Sequence, residues 1–180
     1  DYVIEVDARF RNDGGWWTSY GIIFDGKDDP DPSKPDLGDY YMLWVLWEGS
    51  GIHKWQIMKD IPGDQLDLTG WKNLSPSVYN YGDHGLEWNK WRIERTESTI
   101  RIYVNGHLLD TVSEPRPRTN FQNIFGVYAS TYETGSSRAA FDNYLVDYLN
   151  GSGPAWQGTP KPFYESGSMG LDTLLPHEDR

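Results

Sequence analysis

Six aspartates crowd one short stretch of the chain: Asp25, Asp28, Asp29, Asp31, Asp36 and Asp39 lie among Gly, Pro and Lys. Carboxylates on a backbone too often interrupted by Pro for regular structure suit a hard cation, so this loop is a candidate site for a structural Ca2+. It is not an EF-hand, because the Gly and the closing Glu are misplaced. The same residues also read as an ordinary solubilising loop. Nucleophilic chemistry has less to stand on. There is no Cys and no Gly-x-Ser-x-Gly, and His53, His84, His107 and His177 have no partners at triad or zinc spacing. His84 closes a polar aromatic run from Tyr79, where a ligand contact is conceivable.

The second chemistry is stacking. The chain holds 9 Trp, 12 Tyr and 6 Phe, 15% of its residues. Pyranose rings present C–H faces that pack on such side chains, with Asp, Asn, Arg or Glu bonding the hydroxyls. Trp88, Arg92, Arg101 and Tyr103 are candidate sugar contacts, beside Lys90 and Glu94. Tyr20, Trp44, Glu48, Tyr128 and Tyr132 are expected to line the same concave sheet.

These residues need a scaffold, and 180 residues suffice for one domain. A formal charge of −11 argues against nucleic acid or an anionic membrane surface as partner, since both select basic patches. No apolar run reaches the roughly 18 residues of a membrane span, and no signal peptide remains. A chain that starts at Asp1 reads as processed or excised from a longer product. The absence of Cys says little about compartment.

Residues 2–10 alternate, with Tyr2, Ile4, Val6, Ala8 and Phe10 on one face and Glu5, Asp7 and Arg9 on the other. A turn at 12–15 leads to a strand over 16–24. Residues 40–47 are apolar on both faces, as in a central strand covered on both sides, and 52–60 return from Gly49-Ser50-Gly51. After a looser region to Gly85, strands are expected at 88–95, 99–104, 107–112, 122–132 and 138–149. Asn105-Gly106 is the strongest local signal, because a two-residue type I′ turn needs two residues that tolerate φ > 0. No amphipathic helix is found, and nine or ten strands joined by turns imply an all-β sandwich. From Asn150 a Gly-, Ser- and Pro-rich extension begins, containing Trp156, Phe163, Tyr164, Leu171, Leu174 and Leu175. It reads as a linker or as a segment that docks on the body or on a neighbour. Asn73-Leu74-Ser75 and Asn150-Gly151-Ser152 fit glycosylation sequons, the first weakened by Pro76.

Three stretches carry a family likeness: Trp88–Arg95 with Ile100–Gly106, then Ile124–Ala129, then Ala140–Val146 with its Phe141-Asp142-Asn143. In this order they resemble the concanavalin A-like lectin/glucanase superfamily, particularly laminin-G-like and 3-keto-disaccharide hydrolase-like domains. The resemblance covers about residues 1–149 and implies a jelly-roll β-sandwich. It is compatible with glycan binding, glycan cleavage or adhesion, since function resides in sites and not in folds. Retaining glycanases of the superfamily use Glu-x-Asp-x-x-Glu on one strand. Here Glu5-Val6-Asp7 is followed by Phe10 where the third acid should stand, and Glu94 and Glu97 do not restore it. Such domains also carry a strand before the one matching residues 2–10, lying beside the last one. Either an upstream piece that supplied it was removed, or something else fills the edge next to 138–149, and the terminal extension is long enough to do so in its own subunit or in a neighbour. The expectation is a secreted or cell-surface, non-catalytic glycan-binding module. A subunit that forms a homo-oligomer or polymer by strand exchange through its terminal segment is the alternative. A glycoside-processing enzyme using Glu48, Glu94 or His84 ranks third.

Overall fold

The computed structural model describes residues 1–12, 18–27, 39–48, 51, 53–61, 64–82, 87–115, 124–131 and 137–149. These form eleven strands: β1 (Tyr2–Asn12), β2 (Thr18–Gly26), β3 (Tyr40–Trp47), β4 (His53–Ile61), β5 (Asp64–Asp67), β6 (Lys72–Asn73), β7 (Asn89–Arg95), β8 (Thr99–Val104), β9 (His107–Ser113), β10 (Ile124–Thr131) and β11 (Ser137–Tyr148). No helix occurs among the described residues. The strands make two antiparallel sheets. One has five strands in the order β11-β1-β7-β8-β9. The other has six, in the order β10-β2-β3-β4-β5, with β6 also paired to β4.

Alternation decides which side chains meet between the sheets. Tyr2, Ile4, Val6, Ala8 and Phe10 of β1 face inward with Trp91 and Ile93 of β7 and Ile100, Ile102 and Val104 of β8. Opposite them stand Tyr20, Ile22 and Phe24 of β2, Tyr41, Leu43, Val45 and Trp47 of β3, and Trp55 and Ile57 of β4. Each large side chain buried there stabilises the sandwich by roughly 1.5–3 kcal/mol. β3 is buried on both faces as its uninterrupted apolar sequence requires, its outward Met42 and Leu46 being 5% exposed. The turn at Asn105-Gly106 has φ of 49° and 81°, the left-handed pair its sequence demands. Asn105 also donates its carboxamide to Val78 O at 2.9 Å and to Asn89 Oδ1 at 2.8 Å, tying the hairpin to the loop beneath it.

Titratable side chains are buried inside this apolar layer at two places, the first holding Asp25 with Arg95. Asp25 follows an outward Ile23 and by alternation should also point outward. A φ of 49° and a shift in the β2–β10 register beside it accompany the turn of its carboxylate into the interior. There it accepts Arg95 Nε at 2.7 Å and Tyr2 OH at 2.6 Å. Both partners of this ion pair are fully buried, and Arg95 also donates to Glu114 O at 2.7 Å. The second group is His53, 1% exposed, whose ring is surrounded by Phe10, Trp47, Tyr79 and Tyr81 at centroid distances of 4.6–6.4 Å. Burial lowers its pKa to about 4, against a smaller opposing pull from the Gly51 backbone.

Candidate functional site

The side chains expected to share one sugar-binding sheet divide between opposite faces of the sandwich. Arg92, Arg101, Tyr103 and Trp88 belong to the five-stranded sheet or its margin. Trp44, Glu48 and Tyr128 belong to the six-stranded one. Period-two patterning assigns a residue to a face of its strand and says nothing about which sheet the strand joins. Tyr20 is a clear correction. It is fully buried in the core, where its hydroxyl accepts the Trp91 indole N–H at 2.8 Å and lies 3.3 Å from Tyr79 OH. No sugar can reach it. Tyr132 lies outside the described residues.

On the outer face of the five-stranded sheet, opposite charges alternate across the strands. Glu5 accepts Arg92 and Lys90, both at 2.7 Å, and these bonds hold its pKa below the usual carboxylate range. Glu94 accepts Arg92 at 2.9 Å and Tyr103 OH at 3.0 Å, with Arg101 at 3.6 Å. Burial pushes the Glu94 pKa up, yet these partners together keep it lowered. The Arg9 guanidinium covers the Trp88 ring at 4.6 Å. Arg92 and Tyr103, two expected sugar contacts, therefore already have carboxylate partners on their own sheet.

The outer face of the six-stranded sheet is different in kind. Ile23, Met42 and Met58 form a small apolar cluster, flanked by Tyr40, Trp44 and Tyr128. Register sets Tyr128, Gly21, Trp44 and Gln56 in one row across β10, β2, β3 and β4. A Cβ on Gly21 would stand 2.7 Å from Met42 Sδ and 3.2 Å from Leu43 O, so the Met42 side chain would have to shift to admit one. β6 pairs with β4 through Trp55↔Lys72, and Trp71 immediately precedes it. Trp71 is 41% exposed, and its ring centroid lies 5.3 Å from that of Trp44. Polar groups stand at either end of this face. Tyr40 donates to Asp60 at 2.9 Å and Gln65 to the same carboxylate at 3.1 Å, while Lys54 donates to Glu48 at 2.7 Å.

Trp71 and Gln56 were absent from the sequence-based candidates. Trp71 sits in the loosely patterned region between two short strands, and Gln56 reads as one solvated position of an alternating strand. Glu48 and Glu94, considered as catalytic acids, lie on different sheets and form no pair. Asp25 is corrected as a calcium ligand, because its two oxygens serve Arg95 and Tyr2 inside the core. Asp39 remains at the surface end of β3, its carbonyl accepting Lys27 N–H at 2.9 Å. Asp28, Asp29, Asp31, Asp36, His84 and 150–180 lie outside the described residues. Among the described residues no three His, Asp or Glu side chains converge as a metal site, and no helix is long and apolar enough to cross a membrane.

Among solved structures, the chain superposes on the carbohydrate-binding module CBM66 from Bacillus subtilis with a TM-score of 0.55 at 15% identity. The match covers 82% of this chain and 75% of that one. The fold is a concanavalin A-like jelly roll. Sheep galectin-11, in complex with glycerol, gives 0.50 at 11% identity over 81% and 88% of the two chains. The same jelly roll recurs in a GlcNAcα1-4Gal-releasing endo-β-galactosidase from Clostridium perfringens, at 0.50 and 13% identity. There the match covers 81% of this chain and 37% of the enzyme. No family model matches the chain, and no curated protein matches it in sequence. At these identities the likeness concerns the jelly roll alone.

Proposed function

We propose that the protein is an extracellular glycan-binding module that holds a saccharide against the outer face of its six-stranded sheet, at Trp44 and Trp71. The observation that carries this reading is the indole pair itself. An exposed Trp beside a half-buried one, on a sheet face with polar groups at both ends, is the combination that C–H stacking and hydroxyl bonding require. Binding is favoured over hydrolysis because Asp60, Glu48 and Glu94 each accept hydrogen bonds from neighbouring side chains. A carbohydrate-binding module and a galectin among the similar structures support the same direction. Trp71→Ala should weaken binding to a retained polysaccharide by at least about tenfold in affinity electrophoresis, with an unchanged unfolding midpoint. Equal retardation of wild type and variant on every polysaccharide would overturn the proposal.

A second reading rests on β11. It is the terminal strand of the five-stranded sheet, twelve residues long, with β1 as its only strand neighbour among the described residues. Tyr144, Leu145 and the adjoining Leu149 are 39%, 53% and 51% exposed. A long edge carrying exposed apolar side chains is a template for strand addition by another copy. On this reading the wild-type protein sediments as a concentration-dependent dimer or larger species, and Leu145→Lys returns it to a monomer. A wild-type monomer at about 100 μM would count against it, since association that weak barely opposes the entropy of docking.

A further inference from the structure

Gln56, on the outer face of β4, is 6% exposed, and its Oε1 has no hydrogen-bond partner among the described residues. Such an oxygen has given up water and received nothing in return, so the free protein carries its desolvation cost. Native structures hold few such groups, and a ligand is one reason to keep one. The neighbours of Gln56 are specific. Trp44 is its partner on β3, and Trp71, just before β6, brings its ring to 5.3 Å from that of Trp44. The lysines of β4 and β6 are engaged, and only Lys54 alternates to the face of Gln56. Lys54 pairs with Glu48, Lys59 with Glu114 and Lys72 with Asp110, which accounts for every lysine of β4 and β6.

We infer that the saccharide bound at this face is neutral, and that Gln56 Oε1 accepts one of its hydroxyl protons while Trp71 covers its C–H face. The inference rests on the glycan-binding reading of the same face and narrows it to a ligand class. A hydroxyl donor completes the acceptor that Gln56 leaves open among the described residues. A uronate or sulfate brings acceptors instead, and meets no uncommitted lysine on β4 or β6 and a chain of net charge −11. Trp71 stands on the irregular segment between β5 and β6 and is 41% exposed, whereas Gln56 is 6% exposed. On this inference one sugar ring both stacks on the indole and reaches the Gln56 oxygen.

The test uses the full chain in isothermal titration against two sets of polysaccharide. One is neutral (β-glucan, xylan, galactan, levan) and the other anionic (polygalacturonate, alginate, heparin). Binding confined to the neutral set is expected. Gln56→Met keeps the volume and removes the carbonyl, so it should weaken that binding about tenfold and raise the unfolding midpoint by about 2–4 °C. These opposite signs separate a ligand contact from a structural residue, whose loss would lower the midpoint. Preference for the anionic set, or a Gln56→Met variant that binds as wild type does or melts lower, overturns the inference. If Trp71→Ala still abolishes binding in that case, the glycan-binding reading stands without it. If neither set binds, both fall.

Discussion

Arg95→Met is expected to lower the free energy of unfolding by about 3–5 kcal/mol, read as a shift in the urea midpoint at constant slope. Arg95 and Asp25 form a fully buried ion pair that joins the last residue of β7 in one sheet to β2 in the other. Removing the guanidinium leaves a buried carboxylate without its cationic partner, and also takes from Glu114 O the donor that Arg95 holds at 2.7 Å. The loss measures the isolation of Asp25 and not the net worth of the pair. The double variant Arg95→Met/Asp25→Asn should therefore recover most of it, because Asn tolerates the φ of 49° at that position and carries no charge. If the two single losses simply add in the double variant, the account of the pair as mutually dependent is wrong.

The second large effect is on stability against pH. His53 has a pKa of about 4 in the folded protein, against about 6.5 in an unfolded chain. Above pH 6.5 the imidazole is neutral in both states and titration costs nothing. As pH falls from 6.5 towards 4, the unfolded chain takes up a proton that the aromatic surround of Phe10, Trp47, Tyr79 and Tyr81 refuses. Stability is lost through that window, and the loss levels off once the folded form also protonates below about 4. The gap between the folded and unfolded values corresponds to about 3 kcal/mol. His53→Leu should remove this component, so that the difference between the wild-type and variant unfolding free energies grows steadily from pH 7 to pH 4. A difference that stays level across the window would exclude His53 as its source.

The strands were largely legible because their signal is local. The alternation of residues 2–10, the two-faced apolar run of 40–47 and the Asn105-Gly106 turn each specify their own backbone, and the structure places strands and turn there. What was not legible depends on partners far along the chain. Asp25 looks like one more charge of an acidic loop until Arg95, seventy residues on, is seen to meet it. Tyr20 lies on a strand buried over its whole length, where no polar face marks the outside, so the wrong face could be chosen. Trp44 and Arg92 read alike in sequence, and only strand order assigns them to opposite sheets. Trp71 owes its position to β6, a strand of two residues with no period of its own. Beside β11 the described residues place no strand other than β1.

Strand order also sets the sequence in which the sandwich can assemble. β7, β8 and β9 are consecutive hairpins whose contacts close over a few residues each, so they can form as soon as they exist. β1 sits in the same sheet between β7 and β11, and β2 lies beside β10 in the other. On a ribosome β1 and β2 must wait, unpaired on one side, for β11 and β10 to emerge. Apolar faces such as Tyr2, Ile4 and Val6 stay exposed over that interval, and the nascent chain is aggregation-prone until β11 is released.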